Sequence, residues 1–96
     1  MLTHVVCYQL KEATQAHKDE ARALWMSLEE KIPCVRSVRV GEDVRHSERS
    51  YDLALIMTFD SLADLAAYQA HPAHQPVRAR IHELVARSVS VDFEEE

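Results

Sequence analysis

The sequence predicts an α+β fold: a four-stranded antiparallel sheet that carries its helices on one face. Three observations carry this expectation. Alternating apolar runs and helical stripes follow one another in the order β-α-β-β-α-β. At 96 residues the chain has the length of one domain with a modest core. The alternation also makes both faces of the sheet apolar, whereas the helices can cover only one.

The elements follow in order. Leu2, His4, Val6, Tyr8 and Leu10 fall on one face of residues 2–10, and Thr3, Val5, Cys7 and Gln9 on the other, which is the period of a strand. Residues 15–30 read as a helix with Thr14 as its N-cap. Ala21, Leu24, Trp25, Leu28 and Ile32 form its apolar stripe; Lys18, Asp19, Arg22, Glu29 and Glu30 lie outside it, and Pro33 ends it. Residues 35–44 read as a second strand, with Val38 and Val40 facing one way and Ser37 and Arg39 the other. Gly41, the only glycine, suggests a bulge or bend. The charged, aperiodic stretch 42–50 predicts a long hairpin loop. Residues 52–59 form a third strand, apolar on both faces: Leu53, Leu55, Met57 and Phe59 against Ala54, Ile56 and Thr58.

Ser61 with Asp64 approximates a capping box and starts a second helix. Leu62, Leu65, Ala66 and Tyr68 or Gln69 make its contact surface. Pro72 stops it, because proline lacks the N–H and restricts the residue before it. A third helix is expected from about His74 to Ala86, with Pro76 in its first turn and Val77, Ile81, Leu84 and Val85 as its stripe. Residues 87–93 alternate Ser88, Ser90 and Asp92 against Val89, Val91 and Phe93, a final strand. The acidic end 94–96 is expected to fray. This order is the ferredoxin-like arrangement, and no repeat or linker divides residues 1–96 into more than one domain.

Composition excludes several classes. The formal net charge is −5 and no basic stripe appears, so no nucleic acid partner is expected. No segment approaches the roughly 20 apolar residues of a membrane span, and Thr3, His4, Gln9 and Lys11 interrupt any signal-peptide core. Cys7 and Cys34 match neither a redox pair nor a zinc knuckle, which fits reduced thiols in a cytoplasmic protein.

The helix-free sheet face is the next clue. If Leu53, Leu55, Met57 and Phe59 meet the helices, then Ala54, Ile56 and Thr58 face away, together with Val5 and Cys7 and with Val89, Val91 and Phe93. Apolar residues from three strands on one uncovered face predict a homodimer packed sheet to sheet. The alternative is a monomer with scattered exposed apolar residues. A second register of the last strand, which places Val89 and Val91 under the helices, also stays open at this level.

The run Tyr68-Gln-Ala-His71-Pro72-Ala-His74 sets a phenol and two imidazoles at a forced turn. Histidine moves protons near neutral pH. A phenol, with an ordinary pKa of about 10, holds a substrate oxygen without ionising.

The opening Thr-His-Val-Val-Cys-Tyr-Gln-Leu-Lys, the central Lys-Ile-Pro-Cys-Val-Arg-Ser-Val-Arg-Val-Gly-Glu-Asp-Val and the strand Tyr-Asp-Leu-Ala-Leu-Ile-Met-Thr-Phe-Asp together resemble the stress-responsive A/B barrel (Dabb) family of dimeric α+β barrels. The Tyr-x-x-His-Pro-x-His motif and the closing Val-Asp-Phe extend the resemblance over nearly the whole chain. It implies a ferredoxin-like protomer that dimerises into a barrel. Most members have no known activity; a few are polyketide cyclases that work without metal or organic cofactor. In those, the tyrosine and the last histidine of the motif act on a substrate held between sheet and helices, positions that fall on Tyr68 and His74, with the early strand histidine at His4. The cyclases carry large aromatics on the first helix; this chain has Trp25 but also Ala21 and Arg22.

These residues suggest roles. His74 would be the general base and Tyr68 a hydrogen-bond donor to a developing enolate oxygen. His4, on the strand face of Val6 and Tyr8, would orient the substrate or His74. Leu24, Trp25, Leu28, Leu55 and Met57 would wall an apolar pocket for a small hydrophobic or aromatic molecule, with His71 nearby. The competing account is structural: His74 caps the third helix, His71 bonds a carbonyl at the end of the second, Tyr68 is a core aromatic, and His4 is a satisfied core polar group. No metal is expected, since His71 and His74 straddle a proline and no acid completes a ligand set. Nor is thiol chemistry expected, as neither cysteine has a base beside it. His17, His46 and His82 read as surface residues. A cofactor-free acid–base enzyme, a non-catalytic stress or ligand-binding dimer and a cofactor-free barrel monooxygenase are the three functional alternatives.

Overall fold

β1 (Leu2–Leu10) buries Leu2, His4, Val6 and Leu10 and leaves Val5 and Cys7 half-exposed, so its alternation separates two environments. The structure, a computed structural model, describes residues 1–95. Its further elements are α1 (Gln15–Lys31), β2 (Ser37–Glu42), β3 (Leu53–Phe59), α2 (Leu62–Ala70), α3 (His74–Leu84) and β4 (Val85–Glu94). The four strands form one antiparallel sheet in the order β2-β3-β1-β4. This is the ferredoxin-like α+β fold. None of the helices described is long and apolar enough to cross a membrane.

The register assigns each face. Val6 pairs with Leu55 and His4 with Met57 on the helix side; Val5 pairs with Ile56 and Cys7 with Ala54 on the open side. Across β1 and β4, His4 meets Asp92, Val6 meets Ser90 and Tyr8 meets Ser88. Val89, Val91 and Phe93 therefore lie on the open face beside Cys7, Val5 and Thr3, which settles the register. These three β4 side chains remain 54%, 62% and 40% exposed.

Local chemistry sets the helix boundaries. The Thr14 hydroxyl accepts the His17 N–H at 3.2 Å and the Ser61 hydroxyl accepts the Asp64 N–H at 3.2 Å, each satisfying a first-turn donor. Ala21, Trp25 and Leu28 of α1 are buried with Ile32, against Leu55, Met57 and Phe59 of the sheet. A bidentate pair, Arg80 Nε to Glu20 at 2.6 Å and Arg80 Nη2 to Glu20 at 3.0 Å, ties α3 to α1.

Four expectations are corrected. α3 stops at Leu84, and Val85 opens β4 with no intervening loop; the Lys11 N–H holds the junction through the Leu84 carbonyl at 2.9 Å. Gly41 makes no bulge: it pairs in register with Ala54, and a Cβ there would meet nothing within 4 Å. The register shift lies instead between Gln9 and Leu10, opposite Ala86, which pairs with neither. It puts Val85 and Ser88, three residues apart, on the same helix-side face. Finally, Glu94 belongs to β4, and the Glu95 N–H is held by the Met1 carbonyl at 2.8 Å rather than fraying; Glu96 is outside the described residues.

Candidate functional site

Between the sheet and α3 lies a cavity of about 440 Å³. Its apolar walls come from Val6, Leu55, Val77, Ile81 and Val85, with Tyr8 and Trp25 at one side. Tyr8 and Trp25 stack with centroids 4.7 Å apart. His4, Tyr68 and His74 present polar tips to the same space. Gln69, Arg78, His82, Ser88 and Ser90 also line it and are exposed, so they form its rim.

His4 sits at the sheet's centre. Its Nδ1 bonds the Asp92 carboxylate, the residue directly opposite on β4. A carboxylate accepts here, so Nδ1 carries the proton of this bond and Nε2 is the atom left free of it. Among the described residues Nε2 has no partner and no buried side-chain nitrogen or oxygen is left unpaired, so Nε2 reaches the cavity's solvent-accessible space.

His74 is the first residue of α3, just past the turn that Pro72 forces. Its Nδ1 bonds the Gln69 carbonyl at 3.2 Å. A carbonyl cannot donate, so here too Nδ1 carries the proton and Nε2 is the free atom. Burial, foremost, holds the His74 imidazole below its ordinary value, with Arg78 and His4 adding to the effect and the Gln69 carbonyl opposing it. The Tyr68 ring lies 4.5 Å from the His74 ring and 5.3 Å from Phe59. Tyr68 is 3% exposed, and burial, then Tyr8, raises its phenol well above the ordinary value, so it remains a donor at neutral pH. Burial pushes Tyr8 up to about 12.

Chemically, the arrangement sets two imidazoles and two un-ionised phenols around an apolar hollow. The domain profile described as the stress-responsive A/B barrel domain matches residues 2–95. The chain belongs to this family. Olivetolic acid cyclase from Cannabis sativa is 32% identical over 74 residues, covering 74% of this chain and 73% of the cyclase. A dimeric ferredoxin-like protein from Jannaschia sp. is 25% identical, with a TM-score of 0.80 over 98% of each chain. Hydroxynitrile lyase from Passiflora edulis shares the fold, with a TM-score of 0.87 at 18% identity over 99% of this chain and 93% of the lyase.

In this A/B barrel the cavity brings together His4, Val6, Tyr8, Trp25, Leu55, Tyr68 and His74. Four residues expected there lie elsewhere. Leu28 of α1 and Met57 of β3 are fully buried where helix and sheet pack directly on each other, and Leu24 packs against that core from its edge. His71 turns back on the chain: its Nδ1 accepts the Ala73 N–H at 3.0 Å and pins the turn after α2. Among the described residues, no group of three or more His, Cys, Asp or Glu side chains converges as a metal site would require.

The sequence reading missed Asp92, Arg78 and His82. The signal for Asp92 was its place beside Ser88 and Ser90 in the last alternation, which the antiparallel register carries next to His4. Arg78 and His82 follow His74 at four-residue steps on α3, a pattern visible in the sequence as one helix face.

Proposed function

We propose that this A/B barrel protein is a homodimer whose protomers each bind a small carbonyl-rich or aromatic compound and act on it by acid–base chemistry of the polyketide-cyclase type, the side chains alone doing the work. The observation that carries the reading is His74: half-buried in the cavity, held neutral, and fixed so that Nε2 is its free atom, with the un-ionised Tyr68 against its ring. Relatedness to olivetolic acid cyclase supports the reaction class.

In the proposed step, His74 Nε2 takes a proton from a carbon flanked by two carbonyls. The Tyr68 hydroxyl donates to the enolate oxygen that results. The enolate carbon adds to a carbonyl further along the same chain, forming the ring bond. His74 returns its proton to the new alkoxide, and loss of water follows. His4, its tautomer set by Asp92, accepts an enol or phenol hydroxyl and holds the substrate in register. Dimerisation is supported by the apolar open face and by the dimeric Jannaschia relative.

The reading is tested with a linear polyketone thioester, following ring formation above the spontaneous rate for wild type, His74→Ala and Tyr68→Phe. Loss of most of the acceleration in His74→Ala, and a smaller loss in Tyr68→Phe, is expected. Equal rates in all three would remove the catalytic assignment. A ligand-binding dimer without turnover is the second reading. It is favoured by the His74–Gln69 bond, which gives His74 a structural reason to be there by closing the end of α2.

A further inference from the structure

The rim of the cavity differs in charge from the rest of the molecule. The chain carries 16 Asp and Glu against 11 Lys and Arg. Yet among the described residues no carboxylate lines the cavity, while Arg78 and His82 do. His74, Arg78 and His82 are spaced four residues apart on α3, and side chains at that spacing are neighbours on one helix face. They make a ladder of basic groups that runs from the half-buried His74 out to the exposed rim.

Arg78 is the arginine that lines this cavity, and like Arg39, Arg45, Arg49 and Arg87 it is left without a carboxylate partner among the described residues. Arg80 is bound to Glu20, Arg36 to Asp60 and Arg22 to Glu42, each through its guanidinium. Arg78 has no ion pair or hydrogen bond among the described residues, although it stands close enough to disfavour protonation of His74. Across the cavity the Ser88 and Ser90 side chains of β4 line the same space. A guanidinium, an imidazole and two hydroxyls can all donate, and no acid competes for them. Such a set fits an oxyanion. The single permanent cation, with no lysine in the lining, matches a planar monoanion that a guanidinium can grip with two parallel hydrogen bonds.

We infer that Arg78, with His82 beside it, forms a carboxylate subsite at the cavity rim, so that the ligand is an acid whose aromatic or apolar body lies inward toward Tyr8 and Trp25. The inference rests on the reading that the cavity holds a small molecule. The carboxylate would anchor one end of the ligand while the reactive carbons lie deeper, beside His74.

Calorimetric titration with 2-naphthoate, 2-naphthamide and 2-naphthyl phosphate tests it on wild type, Arg78→Gln, Arg78→Lys and Arg45→Gln. Naphthoate is expected to bind wild type about tenfold more tightly than the amide, the size of a charge-assisted hydrogen bond. Arg78→Gln should erase that preference, bringing acid and amide to equal affinity. Arg78→Lys should keep part of it. Arg45→Gln, which removes the same charge from the loop between β2 and β3, should keep all of it. Equal affinity of acid and amide for wild type overturns the subsite alone, as does a preference that survives Arg78→Gln. Tighter binding of the phosphate than of naphthoate overturns the carboxylate assignment. Failure of both naphthoate and naphthamide to bind overturns the subsite together with the ligand cavity beneath it.

Discussion

Phe93→Ala should weaken the proposed dimer while leaving the protomer folded. Phe93 lies on the open sheet face and is 40% exposed in the single chain. A phenylalanine offers about 200 Å² to be buried, so about 80 Å² is available to a partner. At about 25 cal/mol per Å² this contributes about 2 kcal/mol per copy, and a two-fold interface uses it twice. Alanine keeps one methyl group, which brings the expected loss to about 3 kcal/mol, or about a hundredfold in Kd. Sedimentation velocity over a dilution series reads that shift directly, with far-ultraviolet circular dichroism as the check on folding. Met26→Ala is the control, because Met26 is also 40% exposed but sits on α1, in the opposite layer. Association by Phe93→Ala within twofold of wild type would refute the reasoning, as would equal weakening by Met26→Ala.

Three further outcomes are expected. Asp92→Ala removes the acceptor that fixes the His4 tautomer; it should cost about 1 kcal/mol in urea unfolding, and nitrogen NMR of the imidazole should show His4 no longer held with its proton on Nδ1. Leu28→Ala, at a fully buried core position, should cost about 3 kcal/mol by the same unfolding measurement. Because the native state depresses the His74 pKa, the unfolded chain binds more protons as pH falls. The His74 contribution to stability should therefore be complete above 6.5 and be lost as pH falls through the lower native value. Unfolding free energies measured across that range should lose this slope in His74→Gln.

Much of the fold was legible because alternation and capping are local signals. β1 and β3 alternate with period two, and Thr14 and Ser61 occupy the N-cap positions their side chains suit. What failed depended on tertiary geometry. Val85 continues the α3 stripe at four residues from Ile81, so nothing in the run itself shows that the chain has already become strand. The shift at Ala86 then lets Val85 share a face with Ser88, against simple alternation. Gly41 looked like a bulge because glycine weakens strands, yet its pair with Ala54 is regular. In the site, Tyr68 and His74 were legible as a motif. Asp92 was not, since it meets His4 from 88 residues away. An apolar stripe likewise does not distinguish a wall from a core, which is why Leu28 and Met57 were expected in the hollow and are instead sealed beneath it.

β4 divides its two sides between separate tasks. One set of alternate residues faces the helix side, Ser88 and Ser90 lining the hollow and Asp92 holding His4; the interleaved set, Val89, Val91 and Phe93, makes the bare outer surface. Deleting a single residue within this stretch would swap the sets, turning the carboxylate outward and the phenylalanine in. The lining of the hollow and the apolar outer surface are thereby yoked to one reading frame of side chains. Mutational drift through this strand can proceed by substitution on either side, but a change of length would damage both at once.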